Sequence, residues 1–392
     1  MSAPQRTECQ VGLGTLNVER STFDTDRGLP ALRRACRAAL CIAAIAVPIR
    51  ATAQTPVMLQ GIVDGEAWST NTTSNLLTRN GGRPAPLGRI ELWGAVEPVR
   101  RLVFYAEGAM EAGPARYDTT NFDAYSNRFG AQYTVAPALV VDVGRLTPVI
   151  GTFAARHFST RNPLIGTPDG YTADYPLGVE ASGEAWRFDY RAAVVSLPTT
   201  HDNYEPKPTP RLRPAIGAGV TPIVGLRIGG SYTMGSYLNR GVAQTELFGK
   251  TWSDYQQQVA ALDFAFARGY LETHAEAARG SYDIPGRSPI TGFTYYGEAK
   301  YTFTPRFFLA ARAERNKYPF IRPTTTAWIA HLTDFADGEV GAGYRLGAST
   351  LVKLSLRGDR WWVGAGAGYR GTGGHAVALQ ISHAFDAMEW LR

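Results

Sequence analysis

From Phe293 to Phe303 the chain alternates without a break. Phe293, Tyr295, Gly297, Ala299, Tyr301 and Phe303 fall on one parity, and Thr294, Tyr296, Glu298, Lys300 and Thr302 on the other. Successive side chains of a strand point to opposite faces, so this run has one apolar face and one largely polar face. Runs of about ten residues with this period recur between Val57 and Phe385, separated by turn signals, and their spacing predicts about sixteen strands, with fourteen and eighteen as bounds. Short connections are predicted at Val135-Ala136-Pro137, Thr221-Pro222 and Thr304-Pro305, where proline interrupts ladder pairing, and at Tyr190-Arg191 and Ala267-Arg268-Gly269. Long connections are predicted at 69–86, 112–121, 147–183, 198–210, 238–254, 282–289 and 319–334. Short and long alternate along the chain, which predicts an even number of strands with both ends on the short-turn side.

Parity assigns the faces. The apolar sets are Ile90, Leu92, Gly94 and Val96; Leu102, Phe104, Ala106 and Met110; Trp186, Phe188 and Tyr190; and Ala260, Leu262, Phe264 and Phe266. The opposite parity collects Arg89, Glu91, Glu107, Arg187, Asp189, Arg227, Glu272, His274, Glu276, Glu298, Lys300, Arg312, Glu314, Glu339, Arg345, Lys353 and Arg357. A charge at a bilayer midplane costs about 2 to 4 kcal/mol, so a charged parity opposite an apolar one fits a wall with lipid outside and water inside. The fold class predicted is all-β: a transmembrane antiparallel β-barrel, with the charged set lining its lumen. A soluble sandwich also alternates, but aromatic residues gather at the strand ends here, as in Tyr301, Phe303, Phe307 and Phe308, and sixteen strands exceed what a small closed core needs.

The first fifty residues read differently. Arg33, Arg34 and Arg37 precede an apolar run from Ala38 to Ile49, followed by Ala51, Thr52 and Ala53. This is the pattern of a secretory signal peptide with an A-x-A cleavage site and an extended polar lead. The expected organisation is a signal peptide over 1–53 and one barrel domain over 54–392, carrying a long loop at 147–183. The apolar run is too short to span a bilayer, which takes about twenty residues. All three cysteines, Cys9, Cys36 and Cys41, precede the cleavage site, so the exported chain has no thiol for a disulfide or a thiolate metal site.

Composition narrows the function classes. Charged residues are 19% of the chain and glycines number 42, a low and a high share that suit a lipid-facing wall and a crowded lumen. The formal charge is +6, and no block of basic residues interleaves with aromatics, which argues against nucleic acid as a partner. The six histidines, His157, His201, His274, His331, His375 and His383, show no metal-ligand spacing. Glu272, His274 and Glu276 share one face of one strand, but no nucleophile accompanies them, so no enzyme activity, cofactor or metal is predicted. The Gly371-Thr372-Gly373-Gly374 segment has no following helix or lysine and reads as a hairpin loop.

The segment from Thr147 to Gly183 is far longer than an ordinary connection and follows the fifth predicted strand. Pro148, Gly151, Pro163, Gly166, Pro168, Gly170, Pro176 and Gly178 shape an irregular path through it. In strand number, loop position and export signal the chain resembles the general outer-membrane porins of Gram-negative bacteria, across most of the exported part. The resemblance implies a water-filled channel for passive diffusion of small polar solutes or ions in the outer membrane, surrounded by lipid and assembled as a homotrimer. It also implies that the loop folds inward, making Arg156, His157, Arg161, Asp169 and Asp174 the candidates for a pore constriction. The alternatives are a substrate-selective or gated uptake channel, and a plugged barrel with a structural or adhesive role. The ending departs from the family pattern, because Asp386 to Arg392 follow a last strand containing Val377, Leu379, Ile381 and Phe385; the terminal aromatic is then Phe385 or Trp390.

Overall fold

The computed structural model describes residues 56–74, 77–114, 121–168, 175–196, 212–237, 249–284, 288–317, 334–362 and 372–390. The expected signal peptide lies outside them. Sixteen strands run in chain order: β1 (Val57–Thr70), β2 (Ala85–Val99), β3 (Leu102–Gly113), β4 (Asn121–Ala136), β5 (Leu139–Arg145), β6 (Leu177–Ala185), β7 (Phe188–Val195) and β8 (Arg213–Ile223), then β9 (Leu226–Ser236), β10 (Gln256–Arg268), β11 (Leu271–Tyr282), β12 (Ile290–Thr304), β13 (Phe307–Lys317), β14 (Asp334–Arg345), β15 (Thr350–Trp362) and β16 (Thr372–Asp386). A short helix, α1 (Ala387–Trp390), follows. Each strand pairs antiparallel with the next, and β16 closes on β1 in register from Gln60↔Asp386 to Thr70↔Ala376. Closure leaves no sheet edge, so the ladder satisfies the strands' backbone groups without water, the condition for crossing hydrocarbon. Among the described residues no helix is long and apolar enough to cross a membrane.

Register shifts at Val96/Val99, Thr134/Ala136, Val220/Ile223 and Thr302/Thr304 lie at the short-turn end, beside Pro98, Pro137, Pro222 and Pro305. Proline cannot donate to the ladder, so the strand bulges where it occurs. The fifth shift, at Glu107/Gly108, is in mid-barrel and sets Asn127 of β4 out of register.

The faces follow parity. Ile90, Phe104, Met110, Phe188, Tyr190, Leu262, Phe264, Phe293, Tyr295, Tyr301 and Phe303 stand exposed on the outer surface. The inward rows are polar, yet four clusters of buried apolar residues lie inside the barrel, and each combines wall and loop. Leu146 and Val149 pack with Ala193, Val195 and Ala215; Ile150 with Val259, Ala261 and Ala278; Leu164 with Phe308, Ala310 and Leu351; and Ile165 with Trp68, Leu77, Ala85, Ala376 and Ala378. The apolar core is therefore the seam between the barrel wall and the loop after β5.

Three sequence expectations need correction. The long connection runs over 146–176, and 177–183 is ladder: Leu177, Val179 and Ala181 face outward, diluted by Gly178 and Gly183, which read as loop residues. Tyr190 and Arg191 lie inside β7; the turn there is Trp186-Arg187, so Trp186 is not on a strand and Arg187 is an exposed turn residue rather than a lumen one. Thr372, Gly373 and Gly374 belong to β16, not to a hairpin loop, because they pair with Trp361, Arg360 and Asp359.

Candidate functional site

Between Arg145 and Leu177 the described residues, 146–168 and 175–176, enter the barrel and pass from wall to wall. Near the entrance, the Arg128 guanidinium on β4 donates to Thr147 Oγ1 at 2.7 Å. Arg191 on β7 donates to the carbonyls of Pro148, Val149 and Gly151 at 3.1, 2.9 and 3.2 Å. Loop carbonyls that no ladder satisfies thus find wall arginines. Beyond them, the Thr152 backbone N–H and hydroxyl both donate to the Glu276 carboxylate of β11, at 3.1 and 2.7 Å. Tyr296 of β12 donates to the same carboxylate at 2.6 Å.

Phe153–Arg156 forms a 3-10 turn that aims Arg156 at β12. Arg156 donates to Glu298 Oε1 at 2.8 Å and to the Tyr296 hydroxyl at 3.1 Å. The next residue faces the other way. His157 Nε2 lies 3.7 Å from Glu107 of β3, and Phe158 packs on Trp93 of β2 with ring centroids 5.1 Å apart. Adjacent loop residues therefore reach β12 and β3, seven strands apart by the shorter way round a ring of sixteen, so the loop bridges the lumen at this level. His157 Nδ1 is 2.6 Å from the Ala154 carbonyl, which assigns the ring proton to Nδ1 and leaves the Nε2 lone pair toward Glu107. Burial holds this imidazole below its ordinary pKa of 6.5, although the Ala154 carbonyl and the Glu107 carboxylate both favour its charged form.

The far half of the loop is fixed to β1 and β13–β15. Ser159 donates to Asp64 of β1 at 2.6 Å. Lys353 of β15, only 1% exposed, donates to the carbonyls of Ser159, Asn162 and Leu164 at 2.8, 3.1 and 2.9 Å. Glu339 of β14 accepts the Ile165 and Gly166 N–H groups at 3.1 and 3.0 Å. Arg312 of β13 donates to the Gly166 carbonyl at 2.6 Å, to Glu339 at 2.9 Å and to Glu298 at 3.1 Å. A Cβ on Gly166 would collide with the Glu339 carboxylate and the Arg357 guanidinium, so this close approach requires glycine.

Burial divides the inward charges into two regions. Where the loop is packed, Asp64, Glu91, Glu107, Glu276, Glu298, Arg312, Glu314, Glu339, Lys353 and Arg357 are buried. On β4–β7 and β9, Arg128, Asp142, Glu180, Asp189, Arg191 and Arg227 keep part of their surface, the Arg128 side chain 40%. Toward the short turns the Glu272 side chain, which pairs with Lys300 at 2.8 Å, is 45% exposed. Arg227 bridges Asp189 and Asp263.

Of the five predicted constriction residues, Arg156 and His157 lie in the bridge. Arg161 is exposed on the loop surface, with Nη1 3.4 Å from the Ala155 carbonyl, and Asp169 and Asp174 lie outside the described residues. Of the predicted lumen set, Arg89 pairs with Asp64 at 2.9 Å, His274 and Lys300 are half-buried on inward rows, and Arg345 sits at the last inward position of β14. Only Arg187 falls in a turn. Sequence reasoning missed Asp64, Arg128, Arg191 and Tyr296. Parity along β1 marks Asp64 as inward, but the bulge at Asn127 hides the parity of Arg128, and Arg191 was assigned to a turn. At the C-terminus Phe385 ends the outward row of β16, with its ring filling the space beside Gly61 of β1, and Asp386 accepts the Met388 N–H at 2.9 Å to start α1.

No protein-family model and no curated protein sequence matches the chain. Solved structures do. OmpF of Salmonella typhi, in complex with daunomycin, superposes with a TM-score of 0.57 at 12% identity, over 84% of this chain and 97% of that one. An anion-selective porin from Comamonas acidovorans gives 0.56 at 14% identity, over 85% and 100%. OmpT, an outer membrane protein of Vibrio cholerae, gives 0.53 at 10% identity, over 86% and 100%. The full-length coverage of these proteins, together with closure at sixteen strands, places the chain in the fold of the porin-like outer-membrane β-barrels of Gram-negative bacteria.

Proposed function

We propose that the protein is an outer-membrane porin that passes small polar solutes or ions by diffusion, and that the loop over 146–176 sets the width of its passage. The observation that carries this is the unequal wetting of the lumen. The loop is sealed against β12–β15 and β1–β2, while the inward charges of β4–β7 and β9 stay partly exposed, which leaves a charged, hydrated path along that wall. Charged side chains around a narrow section set ion preference; Arg156, His157 and Arg161 of the loop and Arg128, Asp142, Glu180 and Arg191 of the wall are the candidates for that role. A homotrimer is proposed on the same resemblance, a trimer form being known for OmpT of Vibrio cholerae.

The bridge from β12 to β3 supports a second reading, a gated channel or plugged barrel in which the loop must move before solute passes. One experiment separates the two. The refolded protein is inserted into a planar bilayer under a salt gradient: stepwise openings at low voltage support the open porin, and the reversal potential gives its ion preference. Inserted protein that never conducts, or that opens only after the loop's anchors are cut, supports the gated or plugged reading.

A further inference from the structure

We propose that the short-turn end of the barrel is a binding rim for anionic phospholipid headgroups, formed by Arg100, Arg101, Arg187, Arg268 and Arg306. These five arginines sit in or beside the β2–β3, β6–β7, β10–β11 and β12–β13 turns, so they are spread around the circumference, and all are exposed. No described carboxylate lies within ion-pair distance of any of them. Their polar contacts are the Arg101 Nη1 to the Val135 carbonyl at 3.5 Å and the Arg187 Nη1 to the Pro222 carbonyl at 2.5 Å.

Two exposed acids share this end, Glu184 beside the β6–β7 turn and Glu389 in α1, and the others are engaged: Asp189 and Glu272 pair inward, while Glu97 and Asp386 accept the backbone N–H groups of Arg101 and Met388. Arg268 continues the outward row Leu262, Phe264, Phe266, so its stem leaves the lipid face and its head lies at the level of the headgroups. The apolar partners of such a surface are present between the arginines: Trp186 is 84% exposed, Val224 99%, and Val99, Tyr270 and Leu346 are exposed as well. Trp and Tyr favour the boundary between hydrocarbon and water, and a guanidinium fork matches a phosphate.

Backbone conformation supplies an independent argument. Arg101 and Trp186 occupy left-handed positions, φ 74° and 56°, in the same two-residue turns that elsewhere use Gly225 and Gly269 at φ 87° and 63°. Glycine is the unstrained choice there, so turn geometry does not explain an arginine and a tryptophan. Contact with a lipid interface does: Arg187 lies 5.1 Å from the Trp186 ring, a stacked pair with one apolar and one cationic member.

The proposal concerns the leaflet met by the short turns and stands whether or not the barrel conducts. The test is reconstitution of the full protein into phosphatidylcholine vesicles containing either brominated phosphatidylglycerol or brominated phosphatidylcholine at matched mole fraction. Bromine quenching of Trp186 is read as the part of the signal missing from Trp186→Phe. Near a surface each basic residue contributes about fivefold in lipid preference, so phosphatidylglycerol should be enriched around Trp186 by about fivefold or more, with enrichment falling as salt is raised. Replacing all five arginines by glutamine should bring the ratio to about one, and R187Q, which removes the guanidinium stacked on Trp186, should lower it about fivefold while retaining the heat-dependent gel shift of the folded barrel. Equal quenching by the two lipids in the wild type, or an undiminished preference in a folded arginine-to-glutamine variant, would overturn the proposal.

Discussion

Replacing Lys353 by methionine tests whether the inner loop is held by the wall rather than by its own turns. The Lys353 ammonium is the shared donor for the carbonyls of Ser159, Asn162 and Leu164, three oxygens that point away from any ladder. Hydrogen bonds to a charged group contribute about 1.5 to 3 kcal/mol each, so three give a gross attraction of about 4 to 9 kcal/mol. Burying the ammonium costs several kcal/mol, which offsets much of this. Methionine removes both terms and leaves three buried carbonyls without a donor, at about 1 to 3 kcal/mol each unless lumen water reaches them. Since the desolvation cost of the ammonium disappears with it, we expect a net loss of about 2 to 4 kcal/mol in loop docking, a shift of roughly 30- to 1000-fold toward the undocked loop. The ladder is untouched, so the variant should still resist SDS at room temperature. Single-channel recording should show larger and noisier conductance than the wild type. A folded Lys353→Met barrel with the wild-type step size and noise would refute the idea that this cage fixes the loop.

Other consequences follow from the same anchors. Replacing Arg156 and Arg161 together with glutamate removes two cations from the loop and sets a carboxylate against Glu298, so selectivity should move toward cations; an unchanged reversal potential would show that the loop does not face the permeating ions. The His157 pKa is lowered, so in the folded protein the ring stays neutral in a range where the undocked ring binds a proton. Docking is then strongest above the ordinary value of about 6.5 and weakens as pH falls below it. The groups facing this ring are Glu107, Arg89 and Arg128 from the wall and the Ala154 carbonyl and Tyr175 hydroxyl from the loop, and Glu107 works against the loss. Channel noise that rises on acidification in the wild type but not in His157→Gln would bear this out, and a flat wild-type profile would not. Gly166→Ala should push the loop off the Glu339–Arg357 wall and mimic Lys353→Met, which parallel recordings would detect.

How much of this was legible in the chain varies by element. In β12 and β15 the outward rows carry large apolar residues and most inward positions are polar, so parity alone sets strand, face and approximate register; Phe293 to Phe303 is the clearest case. Around β6 and β7 the rows are short and diluted by Gly178, Gly183 and a run of alanines, so the pattern reads ladder as loop and loop as ladder. Proline positions marked turns well because the missing N–H acts locally, and the bulges appeared beside them.

The inner loop shows where sequence stops. Its length and glycine-proline path were visible, as was the charge on the facing wall. Much of its attachment, however, is between side chains of one strand and backbone carbonyls of a segment up to 194 residues away, as for Lys353 and Ser159. Backbone oxygens are the same at every position, so no residue pattern announces which of them a buried cation will find. Alternation with period two was enough to specify a closed, outward-apolar barrel, because that pattern has one solution when one face meets lipid. Tertiary structure alone decided which lumen charges are sealed and which stay wet, because that depends on where a single long loop lies against sixteen inward rows.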